Sequence, residues 1–200
     1  MNDITNKKTS NRTVVLLFAL FSAPMFGAWY LYLNTAPGKP WGTTNHGELI
    51  NPAQPLKEFN ATNATNENLT LANLTGHWTI MIPVVGECAE VCQKNLYNTR
   101  QIRIALNKET ERVQRVLLLQ NTQQLVGLSE ILKQHADLKI MIAPADQTLW
   151  QQLKILNIPL QDQILLIDPH ANLMMQFAPT INPRDILKDL NKLLKISKIG

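Results

Sequence analysis

The 200-residue chain holds two cysteines, few aromatic residues (6%) and a low share of charged ones (17%). Sparse aromatics give no stacking platform for bases. The net charge of +4 comes from basic residues spread along the chain, so no cationic block marks a nucleic-acid partner. No Ser-His-Asp arrangement, phosphate-cradling glycine loop or dinucleotide-binding glycine motif occurs, which removes support for hydrolase and nucleotide-dependent activities. Apolar residues make up 45% of the chain, enough for one compact domain with an appendage.

The appendage is N-terminal. Val14 to Leu33 is a run of twenty residues without a charge, about the length a helix needs to cross a bilayer. Pro24 and Gly27 lie within it, and both are tolerated in membrane helices. Trp29, Tyr30 and Tyr32 gather at its end, where an aromatic belt sits. Lys7, Lys8 and Arg12 precede it, and the next basic residue is Lys39. The positive-inside rule then keeps residues 1–12 in the cytoplasm, makes 13–33 a transmembrane anchor and exports the rest. The run is longer than the apolar region of a cleaved signal peptide and no A-x-A site follows it, which favours an uncleaved anchor.

Residues 34–75 are polar and rich in Asn, Thr and Pro, with the near-repeats Asn60-Ala-Thr, Asn63-Ala-Thr, Asn68-Leu-Thr and Asn73-Leu-Thr. They match the glycosylation triplet, which arises easily by composition in such a stretch. The segment reads as an irregular tether, and His46 within it as a solvated loop residue. From residue 76 strands and helices alternate. Trp78–Val85 reads as a strand and about Ala89–Leu106 as a helix. Val113–Gln120 is a buried strand, Leu125–Gln134 a helix and Leu138–Ala143 a strand. Asp146 caps a short helix to about Leu156, and Gln163–Asp168 and Leu173–Phe177 form a hairpin about the turn at Asp168-Pro169-His170. Asn182, Pro183 and Asp185 open a last amphipathic helix carrying Ile186, Leu187, Leu190, Leu193 and Leu194. The pattern predicts an α/β domain over 76–200 with a mainly parallel central sheet, helices on both faces and an antiparallel edge hairpin.

The two cysteines, Cys88 and Cys92, follow the first of these strands. Residues four apart on a helix share one face, so both sulfurs would point the same way. A helix N-terminus favours negative charge and hence the thiolate, which is both nucleophile and metal ligand. Glu87 and Glu90 flank the pair and oppose that charge, with Lys94 offsetting them in part. Cys88 would be the more exposed member and Cys92 the resolving one. Three intervening residues fit oxidoreductases less well than two. Two soft thiolates suit Cu(I), which calls for a further donor. A plain structural disulfide is the third account, in a compartment that permits it.

A strand leading to a cysteine pair, then alternating helices and strands with a terminal hairpin, is the thioredoxin-like order. The chain resembles the Sco/SenC family of membrane-anchored, thioredoxin-fold proteins that assist assembly of the copper site of cytochrome c oxidase. The resemblance rests on the anchor, on Cys88-Ala-Glu-Val-Cys92 and on Ile164-Leu-Leu-Ile-Asp168-Pro169. It looks especially like a proteobacterial branch with a similar stretch, here Cys92-Gln-Lys-Asn-Leu96-Tyr97, Arg100, Arg103 and Val113-Gln-Arg-Val116. In that family a copper-ligating histidine sits in an Asp-His pair before the Ile-Asp-Pro strand. Here the matching stretch, Ile158-Pro-Leu160-Gln-Asp162-Gln163, has none. His170, after that strand, is the substitute candidate; Met174 and Met175 are soft donors on paper, and His77 and His135 read as loop or surface residues.

The resemblance implies a single-pass protein of the bacterial inner membrane with its domain in the periplasm. Its partner would be a cytochrome oxidase subunit or another thiol protein. Three functions follow. The first is thiol-disulfide exchange by Cys88 and Cys92 in oxidase maturation. The second is Cu(I) delivery by Cys88 and Cys92, with His170, a methionine or a partner supplying the third donor and copper the only cofactor in question. The third is a non-catalytic assembly role with a structural disulfide. Tyr97, Arg100 and Arg103 read as ordinary helix positions.

Overall fold

Every residue of the strand Trp78–Pro83 (β4) is buried, as a strand covered on both faces requires. The structure, a computed structural model, describes residues 7–34, 44–154 and 159–199. It divides into two units, Met1–Thr44 and Asn45–Gly200. The first contains the helix Lys7–Asn34 (α1), of which Asn11–Asn34 is long and apolar enough to cross a membrane.

The second unit is a mixed α/β structure. After α1 its elements are β1 (Glu48–Pro55), β2 (Ala61–Thr62), β3 (Asn68–Leu69), β4, α2 (Glu90–Ala105) and β5 (Val113–Leu119). Then come α3 (Thr122–Gly127), α4 (Ser129–Leu132), β6 (Leu138–Ile142), α5 (Thr148–Lys154), β7 (Ile164–Ile167), β8 (Asn172–Phe177) and α6 (Pro183–Ile196). One sheet runs in the order β1-β8-β7-β4-β5-β6-β2-β3. Only β4, β5 and β6 are mutually parallel. The β7–β8 hairpin, β1 and the β2–β3 pair join antiparallel. The parallel centre with its antiparallel hairpin is as expected, and the polar segment adds three further antiparallel strands that make the whole sheet mixed.

Alternation along the strands makes two apolar layers. One face of the sheet packs Trp78, Ile80 and Ile82 with Leu96 and Ile102 of α2 and Ile186, Leu190 and Leu194 of α6. On α6, the Asn182 side chain accepts from the Arg184 N–H and Pro183 is the first helical residue, as its sequence foretells. The other face packs Met81, Val116 and Leu118 with Leu149, Trp150 and Leu153 of α5.

Leu56, Phe59, Ala61 and Leu74 complete that second layer, which corrects the expectation of an irregular tether over residues 34–75. From Asn45 onward the segment belongs to the folded unit; residues 35–43 lie outside the described residues. Its apolar residues stand singly among polar ones, so no period betrays them, yet each plugs the open face. Phe59 is 3% exposed. Phe59→Ala is therefore expected to lower stability by about 3 kcal/mol in urea unfolding, whereas in an irregular tether it would change nothing. Two smaller differences concern helices. Leu125–Gln134 is broken into α3 and α4 after Gly127, and α5 ends at Lys154, with Leu156 outside the described residues.

Candidate functional site

The carboxyl end of β4 sets the site. Val84 still donates its N–H to the Leu118 carbonyl of β5 at 2.9 Å. Gly86 then turns the chain with φ +74°, a conformation that favours glycine. The helix α2 begins at Glu90, with Ala89 at the cap position. Cys88 thus lies just outside the helix and Cys92 within its first turn. The pair straddles the helix start, where one shared helical face was expected. The Cα atoms are 5.1 Å apart and the sulfurs form a disulfide.

The two sulfurs differ in surroundings. Cys92 is 2% exposed and lies with Leu96, Thr99 and Ile102 on the buried face of α2. Cys88 is half-buried and lines a cleft of about 500 Å³. Ala89 supplies no side-chain cap, so the positive end of α2 is not screened by its own cap residue and favours an anion such as a thiolate.

Glutamine amides hold the cysteine loop. The Gln93 amide donates to the Cys88 carbonyl at 3.2 Å. The Gln124 amide donates to the carbonyls of Val84 and Gly86, and its oxygen accepts from the Gln120 N–H. Asn121 caps α3 by accepting the Gln124 N–H at 3.0 Å. Sequence reasoning missed this bracket, although Asn121 followed three residues later by Gln124 is a capping pattern. The cleft opens beyond the carboxyl ends of the parallel strands β4 and β5, where ligands of open α/β sheets bind.

The candidate metal donors do not converge on the pair. The strand β7 runs antiparallel to β4, with Ile167 opposite Thr79 and Leu165 opposite Met81. The turn after β7 therefore lies at the Trp78 end of β4, and the cysteines lie beyond Pro83. His170 is exposed on that far turn, with its N–H bonded to the Asp168 carboxylate at 2.9 Å. Met175 is buried opposite Leu166 in mid-sheet, and neither it nor Met174 lines the cleft. Leu160, in the stretch that would carry the family's histidine, is packed in the second apolar layer; Ile158 lies outside the described residues. The loop does reach the site's end of the sheet, since Asn95 of α2 donates to the Asp162 carbonyl at 2.8 Å. Among the described residues no three His, Cys, Asp or Glu side chains are placed to hold a metal ion. Among the described residues the soft donors at the site are the two sulfurs.

Of the other histidines, His77 and His46 are exposed, as read, and His135 departs from its reading. His46 is anchored: its N–H donates to Asp189 Oδ2 at 2.8 Å and its Nδ1 lies 3.1 Å from Oδ1. His135 is buried, not a surface residue. Burial, with Arg115 and Arg100 nearby and only Asp137 opposing them, lowers its pKa below 6.5.

Arg115 of β5 is fully buried. One terminal nitrogen donates to both Asp137 oxygens at 3.0 and 3.1 Å, and the other to the Leu96 carbonyl at 2.6 Å. Its Nε donates to Thr99 Oγ1 at 3.1 Å. Burial lowers the guanidinium's pKa, and the Asp137 carboxylate partly offsets this. Arg115 thereby ties α2, which bears Cys92, to the sheet. Arg103 is also more than an ordinary helix position, since its Nε donates to the Val113 carbonyl at 2.7 Å.

Comparison with known proteins agrees with the fold. Yeast Sco1 superposes with a TM-score of 0.61 at 15% identity, over 74% of this chain and 98% of that one. ScoI of Bradyrhizobium japonicum, solved with copper bound, gives 0.54 at 16% identity over 69% and 98%. BsSco, a member of the Sco family of cytochrome c oxidase assembly proteins in which a disulfide switch was identified, gives 0.52 at 12% over 73% and 96%. At these identities the likeness establishes the fold. No curated protein matches the chain by sequence. The profile of the transmembrane-like, thioredoxin-like C-terminal domain matches residues 78–197, which takes in β4, the cysteine pair and every later strand and helix, and the chain belongs to that family.

Proposed function

We propose that this protein performs thiol-disulfide exchange through Cys88 and Cys92. It would act from a single-pass anchor in the bacterial inner membrane, with the domain in the periplasm, during maturation of cytochrome c oxidase. The observation that carries this reading is the asymmetry of the disulfide: Cys88 borders an open cleft and Cys92 is buried behind it. An incoming thiolate reaches Cys88 first, and Cys92 is the leaving sulfur, placed where the helix start stabilises its negative charge. The partner would be an oxidase subunit or another thiol protein. The disulfide switch of BsSco and that family's role in oxidase assembly support the setting.

Copper delivery is the second reading, favoured by the adjacency of two soft sulfurs and by the copper in Bradyrhizobium ScoI. It requires a third donor from a partner, because His170 is at the far end of the sheet. The full chain in detergent separates the two. Exchange predicts that dithiothreitol reduces the pair and diamide restores it, with Cu(I) held weakly against a chelator. Tight one-to-one Cu(I) binding, lost in both Cys88→Ala and Cys92→Ala, would replace exchange by delivery. A pair that never reduces in the folded chain would leave a structural disulfide.

A further inference from the structure

Five side-chain amides, those of Gln93, Gln120, Asn121, Gln123 and Gln124, line the cleft at Cys88. Leu128 and Ile131 are its apolar lining. Among the described residues its one charged group is the Glu87 carboxylate, and no lysine or arginine lines it. A second carboxylate, Glu90, is exposed in the first turn of α2. Lys94 is exposed farther along that helix and is not part of the lining.

This composition defines a ligand. The Gln124 amide and the Gln93 NH2 hold the cysteine loop and the Asn121 oxygen caps α3, while the Gln120 and Gln123 amides both donate and accept, as a peptide backbone does, so they match an extended chain of any sequence. A small acidic thiol such as glutathione brings two carboxylates and meets a carboxylate with no cation to balance it. The geometry points to an uncharged or basic polypeptide segment as the occupant, laid along the amides so that its cysteine meets Cys88, with Glu87 selecting against acidic thiols. This deepens the exchange reading and rests on it.

The chemistry balances. The partner's thiolate attacks Cys88 Sγ and forms a mixed disulfide. The Cys88–Cys92 bond breaks, its electron pair leaves on Cys92 Sγ, and that sulfur takes a proton from solvent. A second partner thiolate then attacks the partner sulfur of the mixed disulfide. Cys88 departs with its electron pair and is protonated. Two electrons have passed from the partner, now disulfide-bonded, to the pair, now a dithiol.

The test uses the oxidised full chain in detergent and three thiols of matched thiol acidity at low ionic strength. They are one cysteine peptide flanked by lysines, the same peptide flanked by glutamates, and glutathione, with dithiothreitol as an uncharged control. The lysine peptide should react about fivefold or more faster than the glutamate peptide, as roughly 1 kcal/mol per close charge pair implies. Added salt should narrow the gap, glutathione should be slow, and Glu87→Gln should shrink the ratio of the two peptide rates, each taken relative to the same variant's rate with dithiothreitol. Gln123→Lys should reverse it. Equal rates for the two peptides with normal reaction of dithiothreitol would overturn the assignment of the cleft and leave exchange intact. No reaction with dithiothreitol would sink exchange itself.

Discussion

Cys92→Ser is expected to trap a partner on Cys88 as a lasting mixed disulfide, and Cys88→Ser to trap none. The asymmetry comes from position. Cys88 borders the cleft, while Cys92 is 2% exposed on the inner face of α2. With Cys92 present, its thiolate would attack the mixed disulfide and release the partner; with serine there, nothing does. Stability does not account for the contrast. Either variant opens the same short loop, for which chain entropy predicts a loss of about 2 kcal/mol. Non-reducing gels and mass spectrometry of the full chain, incubated with a cysteine peptide disulfide, read the result. Equal trapping by both variants would mean that Cys92 is as accessible as Cys88, contrary to the packing of α2.

The second large effect concerns the buried guanidinium. Asp137→Ala is expected to destabilise the fold by about 3 kcal/mol, because it leaves the Arg115 charge buried without its partner. The value is at the low end of the range for such losses, since the Asp137 side chain is 26% exposed and water can reach the gap. Arg115→Met combined with Asp137→Leu should cost less than Asp137→Ala alone, as an apolar pair of similar volume has no charge to desolvate. A double-mutant cycle in urea isolates the coupling. The change also reaches the site, because Arg115 holds the Leu96 carbonyl one turn after Cys92. Asp137→Ala should therefore raise local exchange of α2 amides. A loss under 1 kcal/mol, with α2 unchanged, would mean that other contacts hold this helix.

The parts of the fold that were legible had periodicity or punctuation. The apolar run before Cys88 read as a buried strand, and Asn182-Pro183 announced α6. The cysteine spacing marked the disulfide's neighbourhood, although it did not reveal that Cys88 precedes the helix. The α2 start depends on Gly86 turning at positive φ and on Ala89, a residue with no capping side chain, taking the cap position. Neither leaves a clear signal. Residues 45–75 were illegible for a different reason: their edge strands pair through backbone bonds, and Leu56, Phe59 and Leu74 serve a layer built by distant segments. His46 is exposed as read, but its tie to Asp189 left no trace in the sequence because that partner lies 143 residues away. Arg115 carried a readable clue, a charge inside a strand that is apolar apart from Gln114, which calls for a buried counter-charge.

The central claim is that the Cys88–Cys92 disulfide exchanges with outside thiols. Its reduction potential, measured on the full chain equilibrated in graded dithiothreitol couples and read by alkylation and mass spectrometry, tests this most directly. Exchange predicts a potential above about −300 mV, in the range of labile and catalytic disulfides. A potential below that, with cysteine variants that only unfold more easily, would contradict it and leave the disulfide as a fastener of the α2 start.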